Sequence, residues 1–382
     1  MLKKLLLIDA PEDGAAIAAA CATADLETVF LPGAEAPTAD AIAAAAREHR
    51  AHGVWSCTGR AWEACLTAAA RLGMPRLDIA LRTDLAIVVQ HALAADHVPH
   101  APVRLEDDAQ GAADIAAEWG TPLWVRPAGG IGVSTCATVE HLPDLPLAFN
   151  QALKKSPGNR VLLQRAVEGD VFRIVGYKVH RAFYPAEVIR ELTAGGAFRY
   201  PTGSVVPSGL SGYQFTAVMD IAKKAGLAVP PCCGLLEIEV VLTADGPVFT
   251  GVWALPEVDK LRAALLRQSG GIDLEVEALR VAAGGLPRVS TQKELGVAIA
   301  WLDAHSGVVT EISGIEAARE LPGICEVVLN IQPGETLGHV TDVPSRDRTG
   351  YVIACRATAK EALETAQQAV RQIHIATRPM MT

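Results

Sequence analysis

Leu5-Leu6-Leu7-Ile8 is an unbroken apolar run of the kind that strands show when both faces are buried. An Ala-rich segment over 14–24 follows and reads as a helix. The same alternation repeats with a strand at Glu27–Leu31, a helix over Ala39–His52, a strand at Val54–Cys57 and a helix at Trp62–Leu72. Strands alternating with helices predict a doubly wound parallel sheet, and Gly73-Met74-Pro75 closes the unit. No Gly-x-Gly-x-x-Gly follows the first strand, which argues against a dinucleotide site there.

Further along, helices are predicted over 83–98 and Asp107–Trp119, and a strand at Leu123–Arg126 runs into a Gly-rich segment, Pro127–Val133. Strands at 135–139 and Val161–Gln164 come next, and Phe172–Tyr177 with Ala182–Ile189 suggests an antiparallel meander. A helix over Gln214–Ala225 precedes a hairpin, Leu235–Leu242 with Val248–Val252, turning about Asp245-Gly246-Pro247. After a helix at Leu274–Ala283, short strands and two helices, Ile315–Glu320 and Lys360–Ile373, predict a small α+β cap. The adjacent Cys232 and Cys233 are expected in a loop after Pro230–Pro231.

Composition narrows the function classes. The 382 residues are 50% hydrophobic, enough for a large core in two or three domains. The net charge of −9, with no basic run longer than two residues, argues against a nucleic-acid partner. No stretch reaches the roughly 18 apolar residues of a membrane span, and the N-terminus reads as a first strand rather than a signal peptide. The eight cysteines include no Cys-x-x-Cys pair and read as scattered thiols in a reducing cytoplasm. No histidine arrangement suggests a metal site. Ser56-Cys57-Thr58-Gly59-Arg60 reads as an ordinary strand-to-helix turn or as a ligand loop at a sheet's carboxyl edge.

The run Trp124-Val125-Arg126-Pro127-Ala128-Gly129-Gly130-Ile131-Gly132-Val133-Ser134 resembles the strand and glycine-rich loop of ATP-grasp enzymes, where backbone amides approach a triphosphate. Leu162–Asp170 looks like that superfamily's hinge strand, and Glu237-Ile238-Glu239 with Asp245-Gly246-Pro247 like its metal-binding hairpin. Leu321-Pro322-Gly323, Gln332-Pro333-Gly334-Glu335 and Arg348-Thr349-Gly350-Tyr351 resemble the C-terminal module of the amino-acid-ligase and biotin-carboxylase-like branches. The resemblance implies an α/β ATP-grasp architecture. A pre-ATP-grasp domain would cover 1–80 and a linking helical region 81–104. The ATP-grasp subdomains would span 105–285, with the Gly-rich loop at 127–134, the hinge at 161–170 and the metal hairpin at 235–252. An α+β cap would cover 286–382. It further implies that Arg126, Gly129, Gly130, Gly132, Ser134, Gln164 and Glu168 hold ATP, and that Glu239 and Glu237 hold magnesium.

The chain departs from the pattern where it matters chemically. Acyl-phosphate formation needs magnesium ions held by hard oxygen ligands. The family's second hairpin strand carries Glu, Asn and Arg; the corresponding places here hold Gly251, Trp253 and Leu255, and the nearest carboxylates, Glu257 and Asp259, lie beyond the strand end. Each lost electrostatic contact is worth about 2.7–4 kcal/mol to the transition state. Two expectations follow. One is a divergent ATP-grasp protein with a degraded Mg-ATP site, binding a small molecule or supporting an active ATP-grasp partner. The other is an active ATP-dependent carboxylate–amine ligase. A homodimer is common among such proteins, and Trp253 is expected to fill space that a nucleotide would take.

Overall fold

The computed structural model describes residues 2–9, 14–31, 37–57, 60–77, 82–129, 136–156, 158–194, 198–255, 258–290, 295–338 and 349–379. The N-terminal unit consists of β1 (Lys3–Ile8), α1 (Ala15–Thr23), β2 (Leu26–Phe30), α2 (Ala39–Glu48), β3 (Gly53–Ser56) and α3 (Trp62–Leu72). Its parallel sheet runs β2-β1-β3, with Leu5 in register with Thr28 on one side and Gly53 on the other. Leu5 to Ile8 are all fully buried, as the apolar run predicts. Leu6 and Ile8 face Ile42 of α2 and Ala68 of α3. Leu5 and Leu7 face Ile17 of α1, but also Val276 and Leu279, which come from far down the chain.

After α4 (Leu85–Ala95) comes a small antiparallel sheet built from β4 (Val103–Glu106), β5 (Leu123–Pro127), β6 (Cys136–Val139) and β7 (Val161–Arg165), in the order β6-β5-β7-β4. Helices α5 (Ala109–Trp119) and α6 (Leu145–Lys155) cover one face through Ile115, Phe149, Val125 and Val161. Sequence patterning puts only Lys154–Lys155 on a helix face and gives no bounds for α6, whose start follows Pro143 and includes Pro146. Both sit where proline costs no helical hydrogen bond: Pro143 in a 3-10 turn, Pro146 in the first turn of the helix.

The large sheet continues through β8 (Asp170–His180), β9 (Ala182–Ala194), β10 (Phe198–Val206), β11 (Cys232–Thr243) and β12 (Gly246–Leu255), in the order β12-β11-β8-β9-β10, with α7 (Gly212–Ala228) placed between β10 and β11 in the chain. Cys232 and Cys233 open β11 instead of lying in a loop, paired with His180 and Val179. Leu236, Ile238 and Val240 point to a core shared with α4 and α7. The alternate positions Leu235, Glu237 and Glu239 therefore face the other side, which is covered by α8 (Lys260–Ser269) and α9 (Leu274–Ala282). The fully buried Lys178 donates from Nζ to the carbonyls of Gly226 (2.8 Å) and Leu227 (3.2 Å), satisfying the exposed end of α7.

The C-terminal α+β part is built onto the large sheet. Strands β13 (Gly296–Trp301), β15 (Ile324–Leu329) and β17 (Gly350–Arg356) extend the large sheet through β10. Among the described residues β14 (Gly307–Ser313), β16 (Thr336–Leu337) and β18 (His374–Arg378) form a sheet of their own. Helix α11 (Ala359–Gln372) packs on the large sheet through Ala362 and Ala366 against Ala298 and Ala354, and α10 (Ile315–Arg319) lies against α11 and β15. Among the described residues no helix is long and apolar enough to cross a membrane.

Helix α9 is packed between two sheets. It meets β3 so closely that a Cβ on Gly53 would lie 2.0 Å from the Ala282 carbonyl oxygen. Gly53→Ala is expected to lower the unfolding free energy by about 1–3 kcal/mol, measured by urea denaturation. A variant as stable as the parent would refute this docking of α9 on β3.

Candidate functional site

The face of β11 that carries Glu237 and Glu239 collects charges from five elements. Glu239 is in register with Arg173 of β8 and Gly251 of β12; Glu237 is in register with Val175 and Trp253. Glu191 of β9, Arg126 of β5 and Arg262 of α8 complete the group, and all six charged side chains are buried. Glu239 takes Arg126 Nη2 (3.1 Å) and the Thr250 hydroxyl (2.6 Å) on Oε1, and Arg173 Nη2 (2.8 Å) on Oε2. Glu237 Oε1 accepts from Arg173 Nη1 (3.1 Å) and Arg262 Nη2 (3.2 Å). Arg262 Nε lies 2.9 Å from Glu237 Oε2 but off the hydrogen-bonding direction, so that contact is one of charge alone. Glu191 Oε2 meets Arg173 Nε at 3.1 Å and Arg262 Nη2 at 3.5 Å.

Three guanidinium groups thus oppose three carboxylates, and the formal charge of the cluster is zero. Burial works against the Arg173 charge, but Glu239, Glu191 and Glu237 outweigh it and hold the proton above the ordinary arginine value. For Arg126 too burial works against the charge, and Glu239 together with Cys136 outweighs it and holds the proton above the ordinary value. The rings of Trp124 (4.9 Å) and Trp253 (5.9 Å) lie against the Arg126 guanidinium, and Trp253 also lies 4.8 Å from that of Arg173. Arg126 Nε and Arg262 Nη1 are buried donors without an acceptor.

Magnesium needs open oxygen lone pairs in near-octahedral array. Both oxygens of Glu239 and Oε1 of Glu237 accept from or pair with guanidinium or hydroxyl groups, whereas Glu237 Oε2, beside Arg262, is without a hydrogen-bond donor. A Cβ on Gly251 would lie 2.5 Å from the Trp253 ring, so the indole covers the place where a second-strand ligand would start. Asp259, one of the nearest other carboxylates in sequence, accepts from the backbone amides of Leu261 (2.9 Å) and Arg262 (3.1 Å) and caps α8. Glu257 lies outside the described residues. Among the described residues no group of three or more His, Cys, Asp or Glu side chains is disposed to hold a metal.

The remaining candidates are dispersed. Gly129, at φ +74, packs on Thr83; Gly130, Gly132 and Ser134 lie outside the described residues. Gln164 is buried and its amide donates to the carbonyls of Thr250 (2.9 Å) and Ala101 (3.4 Å), tying β7 to β12 beside Glu239. Glu168 is exposed on the link between β7 and β8. The Ser56 hydroxyl donates to the Asp9 carboxylate, which also accepts from the Cys57 amide (2.7 Å); Thr58 and Gly59 lie outside the described residues. Sequence reasoning missed Arg173, Glu191 and Arg262. The available signal was an arginine and a glutamate inside otherwise apolar strands, where a charge is retained only if paired. Glu187 shares the face of Glu191 and Arg173 by alternation along β9, and burial pushes its carboxyl group above the ordinary value.

Removing one member of such a cluster leaves an uncompensated buried charge. Glu239→Gln is expected to lower stability by about 3–5 kcal/mol in metal-free buffer containing EDTA, read by urea denaturation. Two carboxylates awaiting a metal would give the opposite sign, because neutralising one relieves their repulsion.

Residues 300–378 match the profile of the L-amino acid ligase C-terminal domain 2 family. A Sinorhizobium fredii chain described as uncharacterized protein y4rH is 26% identical over 304 residues, covering 74% of this chain. The present chain spans 59% of that relative's length. The L-amino acid ligase of Bacillus licheniformis superposes with a TM-score of 0.76 at 16% identity, over 98% of this chain and 99% of that one. N5-carboxyaminoimidazole ribonucleotide synthetase of Thermotoga maritima gives 0.64 at 14% identity, over 99% and 100%. The biotin carboxylase domain of Hydrogenobacter thermophilus 2-oxoglutarate carboxylase, determined with MgADP, ADP and bicarbonate, gives 0.64 at 16% identity over 98% and 91%. The chain has the ATP-grasp fold.

Proposed function

We propose that this chain is an ATP-grasp protein whose magnesium-nucleotide site has been closed by internal ion pairs, and that it binds a small molecule or supports an active partner instead of forming an acyl phosphate. The observation that carries this reading is the buried, charge-balanced group of Arg126, Arg173, Arg262, Glu191, Glu237 and Glu239. A magnesium ion entering between Glu237 and Glu239 would have to displace guanidinium groups and leave them buried without their carboxylates. At about 3–5 kcal/mol for a broken buried pair, that weakens Mg-ATP binding by roughly a hundred- to several thousand-fold. Trp253 acts in the same direction, because its ring already lies against Arg126 and Arg173, where phosphate oxygens would seek cations.

A second reading, an active carboxylate–amine ligase, is favoured by the match of residues 300–378 to an L-amino acid ligase module and by the full-length superposition on such a ligase. In that case Arg126 and the loop glycines serve the phosphates, and Arg173 and Arg262 move aside when magnesium binds. Cytoplasmic residence and a homodimer or an intact ATP-grasp partner belong to the same proposal.

Isothermal titration with ATP, with and without magnesium, separates the two. The expected outcome is a dissociation constant of about 1 mM or weaker, unchanged by EDTA. A micromolar constant that requires magnesium would overturn the closed-site reading and restore the ligase.

A further inference from the structure

Strand β15 carries one residue more than the stretch of β17 it pairs with. Ile324 is in register with Ala354 and Glu326 with Ile353, so Cys325 is the extra residue of a bulge. Next to the bulge the Cys355 amide donates to the Gly323 carbonyl at 2.8 Å, and the Cys325 thiol donates to the same oxygen at 3.8 Å. The two thiols thus flank one carbonyl, and they are hydrogen-bonded to each other. Adjacent antiparallel strands lie at a separation that a disulfide spans, with Cα atoms roughly 4.4–6.8 Å apart.

The surroundings of the two differ. Of the eight cysteines five are buried, Cys57 and Cys355 are half-buried, and Cys325 is exposed. Cys355 joins the core beneath α8, where its thiol donates to the side-chain carbonyl of Gln268 at 2.7 Å. Burial, and then the Cys325 thiol, push the Cys355 thiol up to about 12. An oxidant in solution therefore meets Cys325 first, and Cys355 is reached through it.

From these features we propose that Cys325 and Cys355 form a dithiol site that a small soluble disulfide converts to an intramolecular disulfide between β15 and β17. The Cys325 sulfur attacks one sulfur of the oxidant, and the expelled half leaves as a thiol with the proton given up by Cys325. The Cys355 sulfur then attacks Sγ of Cys325 and expels the second half as a thiol with the proton of Cys355. The chain loses two hydrogens and the oxidant gains them. The hydrogen bond from Cys355 to Gln268, in the last turn of α8, is lost in the same step. Neither cysteine belongs to the ion cluster, so the proposal is independent of whether that cluster admits Mg-ATP.

The full chain is incubated with oxidised glutathione, alkylated under denaturing conditions and mapped by mass spectrometry. Arg346 and Arg348 lie between the two cysteines in sequence, so trypsin places them in separate peptides. The expected product is a disulfide-linked pair of the peptides that carry Cys325 and Cys355. Cys355→Ser should stop at a glutathione adduct on Cys325. Cys325→Ser should slow the loss of the Cys355 thiol by at least about tenfold. Thermal melting establishes that the variants are folded, and the map of the parent chain carries the test alone where one is not. The proposal is overturned if the parent keeps both thiols, stops at an adduct on Cys325, or links either cysteine to a different one. It is also overturned if Cys355 is oxidised as fast in folded Cys325→Ser as in the parent.

Discussion

Six buried charges that sum to zero impose the strictest constraint on this molecule. Moving any one of them out of water costs several kcal/mol, so the cluster persists only because each group meets opposite charges at hydrogen-bonding distance. That demand fixes the registers of β8, β9 and β11, since a slip of one residue would turn Arg173, Glu191 and the two β11 glutamates onto the apolar face shared with α7. It also fixes where α8 starts. Asp259 caps the helix, and Arg262 then reaches Glu237 and Glu191 from its first turn. Gly251 is part of the same solution, because only a residue without a side chain leaves room for Trp253 to lie against two guanidinium groups.

A second constraint joins the N-terminal unit to the large sheet. Helix α9 gives Val276 and Leu279 to the N-terminal sheet, while Leu274, Ala278 and Val281 face the core of the large sheet. Polar contacts reinforce the seam. The Tyr177 hydroxyl donates to the Leu274 carbonyl at 2.6 Å, and Arg280 donates to the Ala24 carbonyl at 2.7 Å while paired with Glu277. A cleft lies along this seam, lined by Val54 and Trp55 of β3, Leu66 of α3 and the hairpin residues Leu235 and Leu255.

Much of the architecture was legible from local pattern. The run Leu5–Ile8, the alternation of strand and helix through Leu72, and the hairpin about Asp245-Gly246 depend on periodicity and turn chemistry carried by neighbouring residues. The bounds of α6 and the strand placement of Cys232–Cys233 were not legible. Proline reads as a breaker unless its position within the first turn is known, and the Pro230–Pro231 pair hides a strand whose pairing partner is fifty residues away. The joining of β13, β15 and β17 to the large sheet was likewise hidden, because pairing with β10 is a long-range event.

The candidate site divides the same way. Sequence alone determined that Gly251, Trp253 and Leu255 alternate along the second hairpin strand, because residue identity and spacing along one strand are local facts. It also determined that Glu237 and Glu239 share a face, through the two-residue period of a strand. Only the tertiary structure decided what those carboxylates touch. Arg173, Glu191 and Arg262 are brought to them by strand register and by the start of a helix, and their separation in sequence gives no sign that they meet. In a dry interior a charge is governed by its nearest counter-charges, and for Glu237 and Glu239 those are guanidinium groups.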